Sequence, residues 1–248
     1  MAKTAADENF PVGSWLIAKP LRPHIHAFYR FARAADDVAD DPMLTPQAKL
    51  LRLDQMEQGL ESLDPMLRPH GRDLLSAFRQ DAQQDRMADW SALMAYCRLS
   101  AAPVGRMLLD LHGEDCELYP ASDALCAALQ VINHLQDCGD DYRRLNRIYL
   151  PQDMLQDETP LAAFAADPAL RAVLDLVIDK TWPLLRQARD LKRLRSHRLR
   201  AEAGMIRGLA ERLLRRLSLA DPLAGPVKAS LADKLAALAD GLAWGLWA

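Results

Sequence analysis

Tyr29-Arg30-Phe31-Ala32-Arg33-Ala34-Ala35-Asp36-Asp37-Val38-Ala39-Asp40 reads as one amphipathic helix with an unusual polar face. At about 100° per residue, Tyr29, Arg33, Asp36 and Asp40 fall within an arc of roughly 60°. Phe31, Ala35 and Val38 point elsewhere, towards neighbouring helices. One face therefore holds a phenol, a guanidinium and two carboxylates. Asp36 and Asp40 stand at i and i+4. Like charges at that spacing repel by about a few tenths of a kcal/mol on an exposed helix, and by more when partly buried.

A second stretch, Gln130 to Asp141, repeats the theme: QVINHLQDCGDD. Gln130, Asn133, Asp137 and Asp141 are spaced 3, 4 and 4 and share a stripe roughly 80° wide. Val131, Ile132 and Leu135 supply the apolar sides. Solvated helices usually set Lys or Arg four residues from Asp or Glu, and this stripe has none. His134 lies about 100° from Asn133 on the helix and reads as structural.

Two such helices set face to face offer hard oxygen ligands. Mg²⁺, with Mn²⁺ as the alternative ion, keeps several waters and completes its shell with substrate phosphate oxygens. A diphosphate held in this way becomes a good leaving group. The carbocation left behind needs an apolar helical enclosure. A single acidic cluster is more often a solvated face; two stripes, each flanked by polar groups in register, favour a metal site at Asp36, Asp40, Asp137 and Asp141.

The rest of the chain is also helical in pattern. β-branched residues are sparse and no stretch alternates convincingly between apolar and polar. Prolines divide the sequence into helices near 21–40, 45–63, 70–84, 88–99, 103–114, 121–142, 168–193, 197–219 and 226–246. Thr45 and Ser122 are expected N-caps. Pro183 should kink or divide its helix. No shift in composition marks a second domain, so residues 1–248 are read as one all-α domain.

The formal net charge of −3 gives no footprint for a nucleic-acid partner. Cys97, Cys116, Cys126 and Cys138 have no zinc-like spacing. They read as reduced thiols in a cytoplasmic protein. Residues 180–216 hold twelve Lys and Arg against three Asp and Glu. That stretch is either a surface for anionic lipid, peripheral on the inner membrane face, or a solvated helical hairpin. The closing Leu242-Ala243-Trp244-Gly245-Leu246-Trp247 would pack on the core or meet the membrane interface.

Three blocks give the chain a family resemblance. They are Tyr29 to Asp40, Tyr96-Cys97-Arg98 with Ala101, Val104 and Gly105, and Gln130 to Asp153. The last ends in Arg147-Ile148-Tyr149-Leu150-Pro151-Gln152-Asp153. Together they resemble the squalene and phytoene synthases, prenyl-transferring enzymes with the isoprenoid synthase fold. Glu8-Asn9-Phe10-Pro11-Val12 and Arg98 to Arg106 look most like the hopanoid branch.

That resemblance implies a single helical bundle with a central apolar cavity. It implies ionisation of presqualene diphosphate, cation rearrangement and capture of water to give hydroxysqualene. A sister enzyme that joins two farnesyl diphosphates would supply the substrate and be a transient partner. The alternatives are a condensing enzyme acting on farnesyl diphosphate and a non-enzymatic assembly scaffold. Retention of all four aspartates argues against the scaffold. No nicotinamide is expected.

Tyr29, Arg33, Tyr96, Gln130 and Asn133 become the candidate catalytic residues. Asn9, Phe10, Arg33, Val104 and Arg147 are the candidate substrate contacts. Each tyrosine also has a bland reading, as a core residue with its hydroxyl satisfied. Two departures stand out: Gln136 where the family commonly has Arg, and Asp140 where Glu is usual.

Overall fold

The computed structural model describes residues 18–246. Asn9, Phe10 and Trp247 lie outside the described residues. Nine α-helices carry the described chain. They are α1 (Arg22–Ala39), α2 (Pro46–Gly59), α3 (Arg68–Asp81), α4 (Trp90–Ser100), α5 (Ala102–Leu111), α6 (Tyr119–Leu145), α7 (Pro168–Gln187), α8 (His197–Leu217) and α9 (Leu231–Gly245). Side-chain caps and prolines set most of the boundaries, and Thr45 is the expected cap that holds. Thr45 Oγ1 accepts the Ala48 N–H at 3.2 Å, and Asp89, Asp167 and Ser196 open α4, α7 and α8 in the same way.

Four expectations are corrected. Ser122 is not a cap: α6 starts at Tyr119 with Pro120 in its first turn, where a missing N–H is harmless, and Ser122 is buried inside the helix. Pro183 does not divide α7, which runs on to Gln187 before tightening into a 3₁₀ segment. Pro183 is exposed, so water can satisfy the carbonyl it frees. The last helix begins at Leu231 rather than near Pro226, because Ser230 and Asp233 form a capping box. Finally, two short strands exist, β1 (Arg86–Met87) and β2 (Ile148–Pro151), paired in parallel. All four residues of β2 are buried, which leaves no alternation to read.

Packing gathers the helices around two apolar clusters. Val131, Ile132 and Leu135 of α6 meet Leu174 and Ile178 of α7 and Leu213 and Leu214 of α8 in the larger one. Ile25 and Phe28 of α1 meet Leu53, Leu74, Leu75 and Met107 in the smaller one. α1 thus packs on α2 and α3, while α6 packs on α4, α5, α7 and α8. The polar stripes of α1 and α6 stay half-buried, and a polar crevice lies where Arg147, just past α6, reaches Asp40 at the end of α1.

α9 lies close along α8. A Cβ at Gly204 would come within 2.6 Å of the Trp244 ring, and one at Gly241 within 2.6 Å of the Ala201 carbonyl oxygen. Only glycine permits this approach. Arg212 and Arg216 of α8 pair with Asp240 and Asp233 of α9, each at 2.6 Å. Arg200 and Arg207 are buried. Arg193 and Arg195 reach Glu117 and Glu114. Much of the basic stretch is therefore built into the packing. Trp244 is buried, whereas Leu231, Leu235, Leu238, Leu242 and Leu246 form an exposed row on the outer face of α9.

Candidate active site

The end of α6 assembles the site. Asn146 takes the left-handed conformation (φ 51°) that stops the helix. The chain then turns back, and β2 carries Arg147 and Tyr149 beneath the crevice. The Arg147 N–H donates to the Asp141 carbonyl at 3.3 Å. Its guanidinium donates from Nη1 to Asp40 Oδ1 at 2.7 Å and to the Tyr149 hydroxyl at 3.2 Å. Nη2 donates to the Asp81 carbonyl at 3.2 Å. One buried arginine thus joins the C-terminal ends of both carboxylate helices.

Asp81, at the end of α3, is the hub of the floor. It is buried, and its two carboxylate oxygens accept the Tyr96 hydroxyl at 2.7 Å and the Tyr149 hydroxyl at 2.9 Å. Arg147 Nε lies 4.0 Å from the same carboxylate and has no hydrogen-bond partner. Burial pushes the Asp81 carboxyl up to about 6, against the opposing pull of Arg147 and the two phenols. Both phenols are pushed well above their usual range, first by burial and then by Asp81. Burial pulls Arg147 down, but Tyr149, Asp81 and Asp40 outweigh it, so it remains a cation.

On α1, Arg33 donates to Asp36 Oδ2 at 3.0 Å and pairs with Asp37 at 2.9 Å. Arg33 thus anchors both Asp36 and Asp37. The Asp36 carboxyl is pushed up to about 7, first by burial in the crevice and next by the Asp40 charge one turn away. Like charges crowded here raise one another's affinity for a proton, or for a cation.

On α6, Asn133, Asp137 and Asp141 are half-buried along the expected stripe, as Tyr29 is on α1. Gln130 Nε2 lies 3.2 Å from His134 Nε2. Gln136 points away from the crevice, where its amide donates to the Val227 carbonyl. That contact explains a glutamine there: it ties α6 to the chain leading into α9. Val104 is 40 % exposed on α5. Arg98 is exposed.

Sequence reading missed Asp81, Tyr149 and the surroundings of His134. Asp81 had a usable signal: with Leu74, Ala77 and Phe78 it lies on the apolar face of α3, where a carboxylate needs partners. Tyr149 stood inside the Arg147–Asp153 string without a role assigned to it.

Among the described residues, no three His, Cys, Asp or Glu side chains close into a metal cage. The half-buried aspartates of the two stripes offer carboxylate oxygens, which suit a hard divalent cation, and the raised Asp36 carboxyl is a group whose charge a cation would restore. Fold and site together define a helical protein that gathers carboxylates from the ends of α1 and α3 around one buried arginine. The chain belongs to the squalene/phytoene synthase family, whose model matches residues 3–232. It is 43 % identical to a hydroxysqualene synthase of Zymomonas mobilis over 92 % of this chain and 85 % of that protein. It is 44 % identical to one of Rhodopseudomonas palustris over 89 % of this chain and 83 % of the other. The crystal structure of a squalene synthase from Alicyclobacillus acidocaldarius superposes with a TM-score of 0.75 at 28 % identity, covering 90 % of this chain and 92 % of that one.

Proposed function

We propose that this protein is a carbon–oxygen lyase that ionises presqualene diphosphate, rearranges the cation and captures water to give hydroxysqualene and diphosphate. The observation that carries this reading is the similarity, at 43 % and 44 % identity over most of both chains, to two hydroxysqualene synthases. The crevice supports it. Asp36 and Asp40 on α1, with Asp137 and Asp141 on α6, would hold Mg²⁺ or Mn²⁺. The ion would neutralise the charge that develops on the departing diphosphate oxygens.

The protein's own groups do the rest. Arg33 fixes Asp36, and Arg147 fixes Asp40. Tyr96 spends its proton on Asp81, so its remaining lone pairs can face a cation or accept from a water. The C–O bond breaks with both electrons leaving on diphosphate. Water then forms the new C–O bond, and one proton is released. Gln130 and Asn133 place polar groups where that water would arrive.

Incubation with presqualene diphosphate and Mg²⁺ in ¹⁸O-water tests this. The expected product is an alcohol bearing the label, formed without NADPH and lost in excess EDTA. If farnesyl diphosphate alone gives presqualene diphosphate while supplied presqualene diphosphate stays untouched, the condensing reading replaces this one.

No helix among the described residues is long and apolar enough to cross a membrane. A peripheral contact belongs to the same proposal. Substrate and product are oily, and the exposed leucine row of α9, with Lys228 and Lys234 beside it, is the face that would meet anionic lipid. Co-sedimentation with anionic vesicles checks it. Wild-type protein that stays in the supernatant removes the membrane from the account.

A further inference from the structure

Capture of water leaves a proton that must pass to a base. We infer that His134 is this base: its Nε2 takes the proton from the water that attacks the rearranged cation. The inference rests on the lyase reading proposed above.

The tertiary surroundings of His134 carry it. The side chain is on α6, one turn beyond Gln130, and only 8 % of it is exposed. Its ring stacks on Tyr149, with centroids 3.6 Å apart and planes at 20°. It lies 6.0 Å from the Tyr96 ring. These two tyrosines come from β2 and α4, so three elements converge on the imidazole.

One polar contact of the ring bears on its role. The Gln130 amide nitrogen can only donate, and it faces His134 Nε2 at 3.2 Å. In the tautomer that accepts this contact, Nε2 carries the lone pair and Nδ1 the hydrogen. An O–H of a water could take the place of the Gln130 hydrogen against Nε2.

The other ionisable groups around this corner are committed elsewhere. Tyr96 and Tyr149 already donate to Asp81, and Asp81 accepts both. Arg147 is a cation bonded to Asp40 and Tyr149. Arg33 is a cation paired with Asp36 and Asp37. Asp36, Asp40, Asp137 and Asp141 are, in the function proposed above, the groups that hold the cation. An imidazole ordinarily titrates near neutral pH, which suits a group that must gain and then release a proton. Its charged form would lie on the Tyr149 ring, where a cation is favoured.

The step balances. A water lone pair forms the C–O bond, the O–H electrons stay on oxygen, and the proton moves to Nε2. Imidazolium later returns it to solvent. Without this base, the cation can instead lose a proton from a neighbouring carbon to the departed diphosphate, giving a C30 hydrocarbon with one more double bond.

The experiment follows two outputs from presqualene diphosphate with Mg²⁺: total diphosphate released, and the alcohol share of the C30 products. His134→Phe keeps the stack on Tyr149 but removes the base. His134→Gln keeps a polar side chain facing Gln130. In both, diphosphate release should stay within about threefold of wild type, as ionisation precedes proton transfer. The alcohol share should fall at least about tenfold in favour of hydrocarbon, the size expected when a general base is lost. Alcohol as the sole product in both variants overturns the inference. So does a parallel fall of both outputs, which is the mark of a structural histidine. If the wild type itself makes no alcohol, the lyase reading fails first and takes the inference with it.

Discussion

The crevice between α1 and α6 and the α8–α9 hairpin are both rich in charge, yet they treat it in opposite ways. In the hairpin, charges meet their opposites: Arg212 with Asp240 and Arg216 with Asp233. Hydrogen bonds from Ser230 and the pair with Arg216 hold the Asp233 carboxyl down at about 2. In the crevice, Asp36, Asp40 and Asp81 crowd together around Arg147, and two of the three are pushed upwards. The first region is arranged for stability. The second stores repulsion that a cation would relieve, which is how sites of function commonly differ from their scaffold.

The sharpest way to break this contrast is to damage each region and ask which property moves. Trp244→Ala should cost roughly 3 kcal/mol or more of folding stability, since a large buried ring is lost from the α8–α9 contact. Turnover per folded molecule should stay near normal. Urea unfolding together with an activity assay checks both, and loss of turnover in a fully folded variant would show that the hairpin serves the site.

Asp36→Ala and Asp137→Ala should do the reverse. Each should lower turnover at least about a hundredfold, roughly 2.7 kcal/mol of transition-state stabilisation. The fold should survive, because removing one member of a repelling set relieves it. Near-normal turnover in either variant would return that carboxylate to a plain solvated face.

The pH response gives a smaller effect. The Asp36 carboxyl rises from 3.8 to about 7 on folding, and Asp81 from 3.8 to about 6. Raised carboxyls mean that the folded protein binds protons more tightly than the unfolded chain. Their favourable contribution is present at low pH and is lost as pH climbs from about 4 to about 7. In EDTA, the urea midpoint should therefore drift down across that window, and Asp36→Asn should flatten the drift. An unchanged slope in the variant would mean that Asp36 titrates normally.

The smallest change belongs to the paired region. Asp240→Ala removes one ion pair from a part-exposed surface and should cost no more than about 1 kcal/mol. A much larger loss would show that the α8–α9 pairs are strongly coupled.

The helical class, the two carboxylate stripes and the family were legible in the sequence, because they are written in local spacing. Asp36 and Asp40 share a face whatever surrounds them, and caps such as Thr45 act within one turn. Other features failed for a local reason too: β2 is buried on both sides, so it shows no period, and Ser122 mimics a cap inside a helix that Pro120 already starts. What only the tertiary structure decided is the floor of the crevice. Arg147 stands 107 residues from the Asp40 it holds. Tyr96, Asp81, Tyr149 and His134 come from α4, α3, β2 and α6. Helical geometry put His134 off the polar stripe, and that remains true. It could not say that two tyrosines from other elements would pack against that side of α6, because contacts between distant segments follow from packing and not from periodicity.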